Sequence, residues 1–329
     1  MLIDIFNRHI DYVRISVTDR CDLRCHYCMK ENPSFLPKSE ILSFEQIERL
    51  CDIFIEQGVK KIRLTGGEPL VRKDIIKLIN NLGKKINRTN LKELTLTTNG
   101  TLLEKYADKL AASGIKRINV SLDTLDPIKY TQITRNGDIS KVLRGIDFAI
   151  KNNINVKINV VALKNFNDNE FSKIIEWCGK KKIDVTFIEV MPMGETEHHR
   201  FDQYLPLKEI RENLKKEFNL IKSDHKTGGP ARYDFSEKYN IKVGFITPLS
   251  QNFCDDCNRI RITCTGRLYM CLGQEKFIDF KKYLNNDYSN KKILEKIKES
   301  LAIKPKGHQF IIDENSKPYL NRFMNTTGG

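Results

Sequence analysis

The segment YVRISVTDRCDLRCHYC, residues 12–28, joins a strand pattern to a cysteine cluster. Polar and aliphatic residues alternate from Tyr12 to Thr18, which predicts a β-strand with one polar and one apolar face. Cys21, Cys25 and Cys28 follow directly, with C-x3-C-x2-C spacing. These three thiols are therefore expected together in the loop at the carboxyl end of the first strand.

A unit of one strand and one amphipathic helix recurs roughly every thirty residues from residue 12 to about residue 194. Six such units predict an α/β fold, either an incomplete (βα)6 TIM-like barrel or a doubly wound sheet. Ser43 and Gln46 predict a capping box for the first helix, and Cys51 and Cys178 fall on core-facing helix stripes. The predicted parallel strands are Tyr12–Thr18, Lys60–Thr65, Leu91–Thr98, Ile115–Asp123, Asn155–Leu163 and Val185–Met191.

The predicted strands alternate, although a parallel sheet that is buried on both faces usually reads as continuously apolar. One parity carries the polar residues of five strands: Arg14, Ser16, Thr18; Lys61, Arg63, Thr65; Thr95, Thr97, Asn99; Asn119, Ser121, Asp123; Asn155, Lys157, Asn159. So many polar groups need partners if they are buried, which predicts an interior that holds a sizeable polar, anionic ligand. A solvent-exposed sheet face would produce the same alternation.

Composition narrows the class of protein. The chain has 329 residues, a formal net charge of +14 and nine cysteines, and its first thirty residues lack the apolar run of a signal peptide. We therefore expect a cytoplasmic protein with reduced thiols and no disulfide framework, and no membrane-spanning segment. The positive charge indicates an anionic partner of unspecified kind.

A second cysteine group lies after the repeats end. Residues 1–205 are predicted to form the partial barrel, and residues 206–329 a C-terminal α+β extension that begins with a helix over Leu207–Phe218. Cys254, Cys257 and Cys271 are separated by C-x2-C and a hairpin turn at Thr265 and Gly266. The final residues, 325–329, lack side chains that would fold alone, so a frayed terminus is expected.

Three thiolates without a fourth fit a 4Fe–4S cluster with one iron open to a small chelating molecule. Structural zinc sites close their tetrahedron with four ligands, which disfavours zinc at the first triad. For Cys254, Cys257 and Cys271 alone, a zinc knuckle is as good an interpretation. The segment Gly66-Gly67-Glu68-Pro69 is explained by a tight turn or by close backbone approach of a bound molecule.

These features together resemble the radical S-adenosylmethionine (SAM) superfamily, and within it the GTP 3′,8-cyclase family of molybdenum cofactor biosynthesis. The resemblance covers nearly the whole chain. It is carried by C-x3-C-x2-C at Cys21, RISVTDRC from Arg14, RLTGGEP from Arg63, LTTNG from Leu96, NVSLD from Asn119, VKINV from Val156, FIEVM from Phe187, CDDCNRIR from Cys254, Cys271-Leu and the terminal Gly-Gly.

The resemblance implies a lyase with two 4Fe–4S clusters, on Cys21, Cys25 and Cys28 and on Cys254, Cys257 and Cys271. It implies that SAM binds the first cluster and yields a 5′-deoxyadenosyl radical. That radical would take hydrogen from the ribose 3′ carbon of GTP, and the carbon radical would attack guanine carbon 8 to give 3′,8-cyclo-7,8-dihydro-GTP, on the route to molybdopterin.

The resemblance also assigns residues. The implied SAM contacts are Tyr27, Gly67, Ser121 and Met191; the implied GTP contacts are Arg14, Arg63, Thr97, Lys157, Arg259 and Arg261. Arg259, Arg261, Gly328 and Gly329 are implied to act in catalysis, since the tail of the family reaches into the site. One departure is Thr186, where many bacterial members carry an arginine.

Partners follow from the same resemblance: GTP, a reducing electron donor, a second copy in a homodimer, and cyclic pyranopterin monophosphate synthase as the consumer of the product. Nucleic acid and membranes are not expected partners. Two alternatives stay open, namely a radical SAM enzyme that matures a peptide or cofactor with an auxiliary cluster, and a basic zinc-containing protein that binds nucleic acid.

Overall fold

A computed structural model describes residues 1–194, 196, 199–251, 253–286, 288–312 and 319–328. The strands are β1 Tyr12–Ser16, β2 Lys61–Thr65, β3 Glu93–Thr98, β4 Arg117–Ser121, β5 Asn155–Ala162, β6 Asp184–Glu189, β7 Leu220–Ser223, β8 Arg232–Ser236, β9 Ile241–Ile246, β10 Arg259–Ile262, β11 Arg267–Tyr269 and β12 Ile278–Asp279. The helices are α1 Phe44–Glu56, α2 Ile75–Gly83, α3 Leu103–Ala112, α4 Pro127–Thr134, α5 Ile139–Lys151, α6 Phe171–Lys181, α7 Arg200–Gln203, α8 Leu207–Phe218, α9 Lys281–Asn285, α10 Asn290–Leu301 and α11 Met324–Thr327.

All strands belong to one 12-stranded sheet with the order β12-β11-β10-β1-β2-β3-β4-β5-β6-β9-β8-β7. The six predicted strands pair in parallel and in sequence order, which confirms the α/β fold and agrees with an incomplete barrel. Two strands of the C-terminal region extend the parallel part, β10 beside β1 and β9 beside β6. The predicted division at residue 205 stays a prediction.

The ladder places the polar parity of the strands in rows. Arg261, Arg14 and Arg63 are direct neighbours across β10, β1 and β2. Thr97, Asn119, Lys157 and Asp184 form a second row across β3 to β6. The opposite parity is apolar and packs on the helices; Val13 and Ile62, for example, are fully buried. The shared polar interior is thus confirmed, because the register brings these side chains to one face.

The structure contains the helix cap and the buried helix cysteines that the sequence predicted. The Ser43 hydroxyl accepts a hydrogen bond from the Gln46 backbone, and the Gln46 side chain accepts one from the Ser43 backbone, which completes the capping box of α1. Cys51 and Cys178 are fully buried in the core, as predicted. Within the described ranges, no helix is both long enough and apolar enough to cross a bilayer.

Candidate active site

The first cysteine triad lies in the loop after β1, where all three thiols are partly exposed. The loop turns tightly, since the Cys28 backbone N–H donates to the Cys25 carbonyl at 2.9 Å. The Cys21 sulfur accepts from the Leu23 backbone at 3.4 Å and from the Asn99 amide at 3.7 Å. Donors aimed at a sulfur favour its thiolate form, which is the form that binds iron.

Burial raises the pKa of each thiol in this triad, to about 11 for Cys28. Arg200 and the backbone N–H of Asn325 act against burial at Cys28. Metal ligation requires the deprotonated thiol, so these thiols need a strong positive partner to ionise. Iron supplies that charge, and the donor set of three thiols fits a 4Fe–4S cluster with one open iron.

Gly66 and Gly67 hold the cluster loop against the end of β2. The Gly67 and Glu68 backbone N–H groups donate to the carbonyls of Thr18 and Arg20, both at 2.8 Å. A Cβ at Gly67 would lie 2.3 Å from the Arg20 carbonyl oxygen, which is far inside contact distance. The Gly-Gly pair is therefore required for backbone approach to the cysteine loop itself.

The other implied SAM contacts lie along the carboxyl edge of the sheet. Tyr27 donates to the Asp123 carboxylate at 2.7 Å, and the other oxygen of Asp123 accepts from the Val161 backbone at 2.8 Å. Ser121 ends β4, and Met191 follows β6 and lines the cavity described below. Their contacts with SAM, like that of Gly67, stay predictions.

A cavity opens over the polar face of the sheet. Its charged lining consists of Arg14, Lys61, Arg63, Lys157, Arg259 and Arg261. Among the described residues that line it, none is an aspartate or glutamate. Five of the six implied GTP contacts therefore share one cavity. The sixth, Thr97, does not line it and instead accepts a hydrogen bond from Arg63 at 3.0 Å.

Several positively charged side chains lie close together and are buried in this cavity. Burial, followed by the charges of Arg63 and Arg117, lowers the pKa of Lys157 to about 7. Burial and Arg259 lower the pKa of Arg261 to about 10. At Tyr12 burial raises the pKa, but Arg63, Arg14 and Lys61 outweigh it and bring the pKa down to about 7. A polyanion would relieve this repulsion, which makes the cavity a site for phosphate groups.

The second triad, Cys254, Cys257 and Cys271, lines the same cavity. Burial alone would raise the pKa of Cys257, but Arg259 and Lys304 lower it to about 7. No three thiol, imidazole or carboxylate side chains of the described ranges converge on one point suited to a single metal ion. A cubane cluster does not need such convergence, because each thiolate binds a different iron.

The C-terminal tail enters the site, so the expectation of a frayed terminus is wrong for residues 325–328. The Gly328 carbonyl accepts hydrogen bonds from Arg261 and, at 3.5 Å, from Arg14. The Asn325 side chain donates to the Asp19 carbonyl at 3.1 Å. Gly329, the other implied catalytic glycine, lies outside the described residues. The tail is held because the Gly328 carbonyl and the Asn325 side chain both find partners inside the protein.

Comparison with known proteins gives the family. The family model described as Radical SAM superfamily matches residues 15–178, and the one described as Molybdenum Cofactor Synthesis C matches residues 183–310. A Brucella ovis protein named GTP 3′,8-cyclase is 54% identical over 329 residues, covering 100% of this chain and 96% of the relative. The Brucella canis protein of the same name matches equally well. This chain belongs to the GTP 3′,8-cyclase family.

Solved structures of another protein share the fold of this GTP 3′,8-cyclase family member. Streptococcus suis SuiB bound to S-adenosylmethionine is 16% identical, with a TM-score of 0.63 over 85% of this chain and 66% of that chain. SuiB bound to the precursor peptide SuiA gives 17% identity and a TM-score of 0.64 over 86% and 65%. At this identity the likeness concerns the fold alone.

The structure adds two lining residues that sequence reasoning missed for this family member. Lys61 had been placed on the polar parity but given no role; it lines the cavity, contacts Glu93 at 2.8 Å and donates to the Thr227 carbonyl at 2.8 Å. His308 gave no sequence signal. Its Nδ1 accepts from the Phe310 backbone at 3.3 Å, and its buried Nε2 has no hydrogen-bond partner in the described part of the chain.

The departure at Thr186 has a local structural correlate. Thr186 is fully buried, and its neighbour across the ladder is Gly244. A Cβ at Gly244 would lie 2.8 Å from the Thr186 hydroxyl and 2.8 Å from the Tyr233 ring. Thr186 and Tyr233 thus both lie against Gly244, and the Tyr233 hydroxyl accepts a hydrogen bond from Lys157 at 3.0 Å.

Proposed function

We propose that this chain is a radical SAM GTP 3′,8-cyclase, which converts GTP into 3′,8-cyclo-7,8-dihydro-GTP in molybdenum cofactor biosynthesis. The observation that carries the proposal is the cavity over the sheet. It joins six cationic side chains to the second cysteine triad and reaches Met191 at the carboxyl edge. The family membership agrees with this chemistry.

The cationic residues have a binding role in this proposal. Arg14 and Arg63 on the neighbouring strands β1 and β2, together with Lys157 on β5, would hold the triphosphate through charge-assisted hydrogen bonds. Arg259 and Arg261 would act nearer the purine, because β10 leads directly from Cys257. Thr97 would act indirectly, by fixing the Arg63 guanidinium at 3.0 Å.

Two 4Fe–4S clusters complete the site. Cys21, Cys25 and Cys28 would hold the first cluster, which would supply the electron for SAM cleavage. Cys254, Cys257 and Cys271 would hold the second cluster, which would provide an open iron for the purine. Tyr27, Gly67, Ser121 and Met191 would position SAM. Arg261, together with the Gly328 carbonyl that it binds, would position the ribose and guanine for ring closure.

The rest of the lining would keep water from a carbon radical. Ile188, Met191, Phe253, Leu272 and Phe310 form an apolar part of the same cavity. Water excluded from such a site cannot divert the reactive intermediate.

The remaining partners belong to the proposal as well. GTP is the substrate, an external one-electron donor reduces the first cluster, and cyclic pyranopterin monophosphate synthase consumes the product. A homodimer, a cytoplasmic location and a boundary between residues 205 and 206 stay predictions.

Anaerobically reconstituted protein tests the function with dithionite, SAM and GTP. We expect 5′-deoxyadenosine and a cyclised guanosine triphosphate to form together. Cys271→Ala should keep iron at the first site and lose cyclisation, whereas Cys264→Ala is the matched control, because Cys264 is buried outside the triad. Deoxyadenosine that forms equally without nucleotide, or ATP that serves as well as GTP, would show the substrate to be wrong.

A further inference from the structure

Lys304 is a buried lysine beside the second cysteine triad. Its side chain is only 2% exposed. The ammonium group has three acceptors: the Cys257 sulfur at 3.6 Å, the Arg259 carbonyl at 3.0 Å and the Met270 carbonyl at 2.7 Å. An ammonium has three N–H donors, so this site satisfies all of them.

A fully buried lysine is rare in folded proteins. Lysine is almost never fully buried unless it is paired, because removing its charge from water is costly. The acceptors of Lys304 are two neutral carbonyls and one cysteine sulfur, and the sulfur is the only one that carries a full charge when it is ionised. The ammonium therefore balances a thiolate at Cys257.

The segment that carries Lys304 also touches the other ligands. A Cβ at Gly307 would lie 3.3 Å from the Cys254 Cβ, so the chain passes close to that ligand. Met270, whose carbonyl binds Lys304, directly precedes Cys271. Arg8 links the Cys254 loop to the segment that carries Lys304, since one of its guanidinium nitrogens donates to the carbonyls of Cys254 and Lys306, both at 2.8 Å.

Lys304 differs from the arginines of the cavity. Arg259 approaches the Cys257 sulfur at 3.9 Å and lines the cavity, where substrate can reach it. Lys304 is not among the lining residues of that cavity, so it reaches the same sulfur from within the protein. An effect of Lys304 on the reaction would pass through the cluster rather than through contact with GTP.

We propose that Lys304 is a positioning residue of the second cluster, which holds the Cys257 thiolate on its iron and stabilises the reduced state of that cluster. A hydrogen bond and a positive charge at a ligating sulfur favour the reduced cluster, because that state carries more negative charge. Loss of the charge therefore lowers the midpoint potential and weakens iron retention at this site. The inference rests on the second cluster of the proposed function.

Lys304→Gln is the main variant, because its amide can still donate to the two carbonyls while the charge is lost. Lys304→Arg keeps the charge, and Lys306→Gln is the matched control, since Lys306 lies two residues away and is exposed. The full-length reconstituted protein would be titrated with mediators and followed by electron paramagnetic resonance. SAM binds the first cluster in the proposed function, so the resonance signal that SAM leaves unchanged is assigned to the second cluster. Iron and sulfide per chain would be measured in parallel.

We expect Lys304→Gln to show a more negative midpoint potential for the second cluster and less iron per chain. Lys304→Arg should recover part of the shift, and Lys306→Gln should match the wild type. An unchanged potential and iron content in Lys304→Gln would overturn the proposal, and so would an equal shift in Lys306→Gln. If Lys304→Gln is not recovered in folded form, the comparison of Lys304→Arg with Cys257→Ser decides. A Lys304→Arg potential closer to that of the wild type supports the proposal, and one shifted at least as far as in Cys257→Ser contradicts it. A wild type without any second signal would instead refute the second cluster.

Discussion

Nucleotide binding should be coupled to proton uptake near neutral pH. The pKa of Lys157 is lowered to about 7, first by burial and then by Arg63 and Arg117. Tyr12 lines the same cavity and also has a pKa of about 7, because three cations outweigh its burial. A triphosphate favours the ammonium of Lys157 and disfavours the phenolate of Tyr12. Both effects draw a proton into the site.

The magnitude follows from these two pKa values. At pH 7.5 a group with a pKa of 7 is about one-quarter protonated, so full protonation takes up about three-quarters of a proton at each group. The two groups together would take up about 1.5 protons per nucleotide. Above pH 7, affinity would then weaken by up to about tenfold per pH unit for each proton taken up. Below pH 6, where both groups are already protonated, their contribution to the pH dependence should vanish.

Calorimetric titration of the anaerobic protein with GTP, in buffers of different ionisation enthalpy, measures the proton count directly. Lys157→Arg keeps a charge that does not titrate in this range, and Tyr12→Phe removes the phenol. Each should lower the count by about three-quarters of a proton. The double variant supplies the reference, because it retains only the ionisation of the nucleotide. A wild type with the same proton count as the double variant would refute the reasoning.

Three further predictions concern the first cluster loop, the C-terminal tail and the core. Gly67→Ala should lose iron from the first site, because the added Cβ would lie 2.3 Å from the Arg20 carbonyl oxygen. Iron analysis tests this. Gly229→Ala is the control, since the atom nearest to its added Cβ would be 3.4 Å away. Gly328→Ala should displace the tail, because Gly328 has a φ of +72° and an added Cβ would lie 2.2 Å from Thr65. We expect this variant to lose cyclisation and to retain iron at both sites. Cyclisation at the wild-type rate would argue against a role for the tail. Cys178→Ala should lower the free energy of unfolding by about 1 kcal/mol and leave iron content unchanged, as denaturant unfolding and iron analysis would show; lost iron would mean that Cys178 is a ligand.

The local parts of the fold were readable from the sequence. The capping box at Ser43, the helix Leu207–Phe218 and the six parallel strands depend on neighbours close in the chain. The polar parity of the strands also predicted the cavity, because side-chain direction alternates whatever the partner strand is. The predicted strands ran up to two residues too far at an end, as at Asp123, whose carboxylate leaves the ladder to bind Tyr27 and the Val161 backbone.

Long-range pairing was not readable. The strands β9 and β10 join the parallel sheet beside β6 and β1, although their sequences carry no signal that names those partners. The tail was predicted to fray because its residues have small side chains, yet Gly328 is held through its carbonyl. Lys304 lies in a Lys-rich stretch that composition assigns to solvent, and only the fold shows that one of these lysines is buried beside Cys257.

The central claim is that a radical formed at the first triad reaches GTP in the cavity that joins the two cluster sites. GTP labelled with deuterium at the ribose 3′ carbon tests it most directly, with the wild-type protein, SAM and dithionite under anaerobic conditions. Mass spectrometry should find one deuterium in the 5′-deoxyadenosine that accompanies cyclised product. Unlabelled deoxyadenosine beside cyclised product, or deuterium gained from GTP labelled at another ribose carbon, would contradict the account.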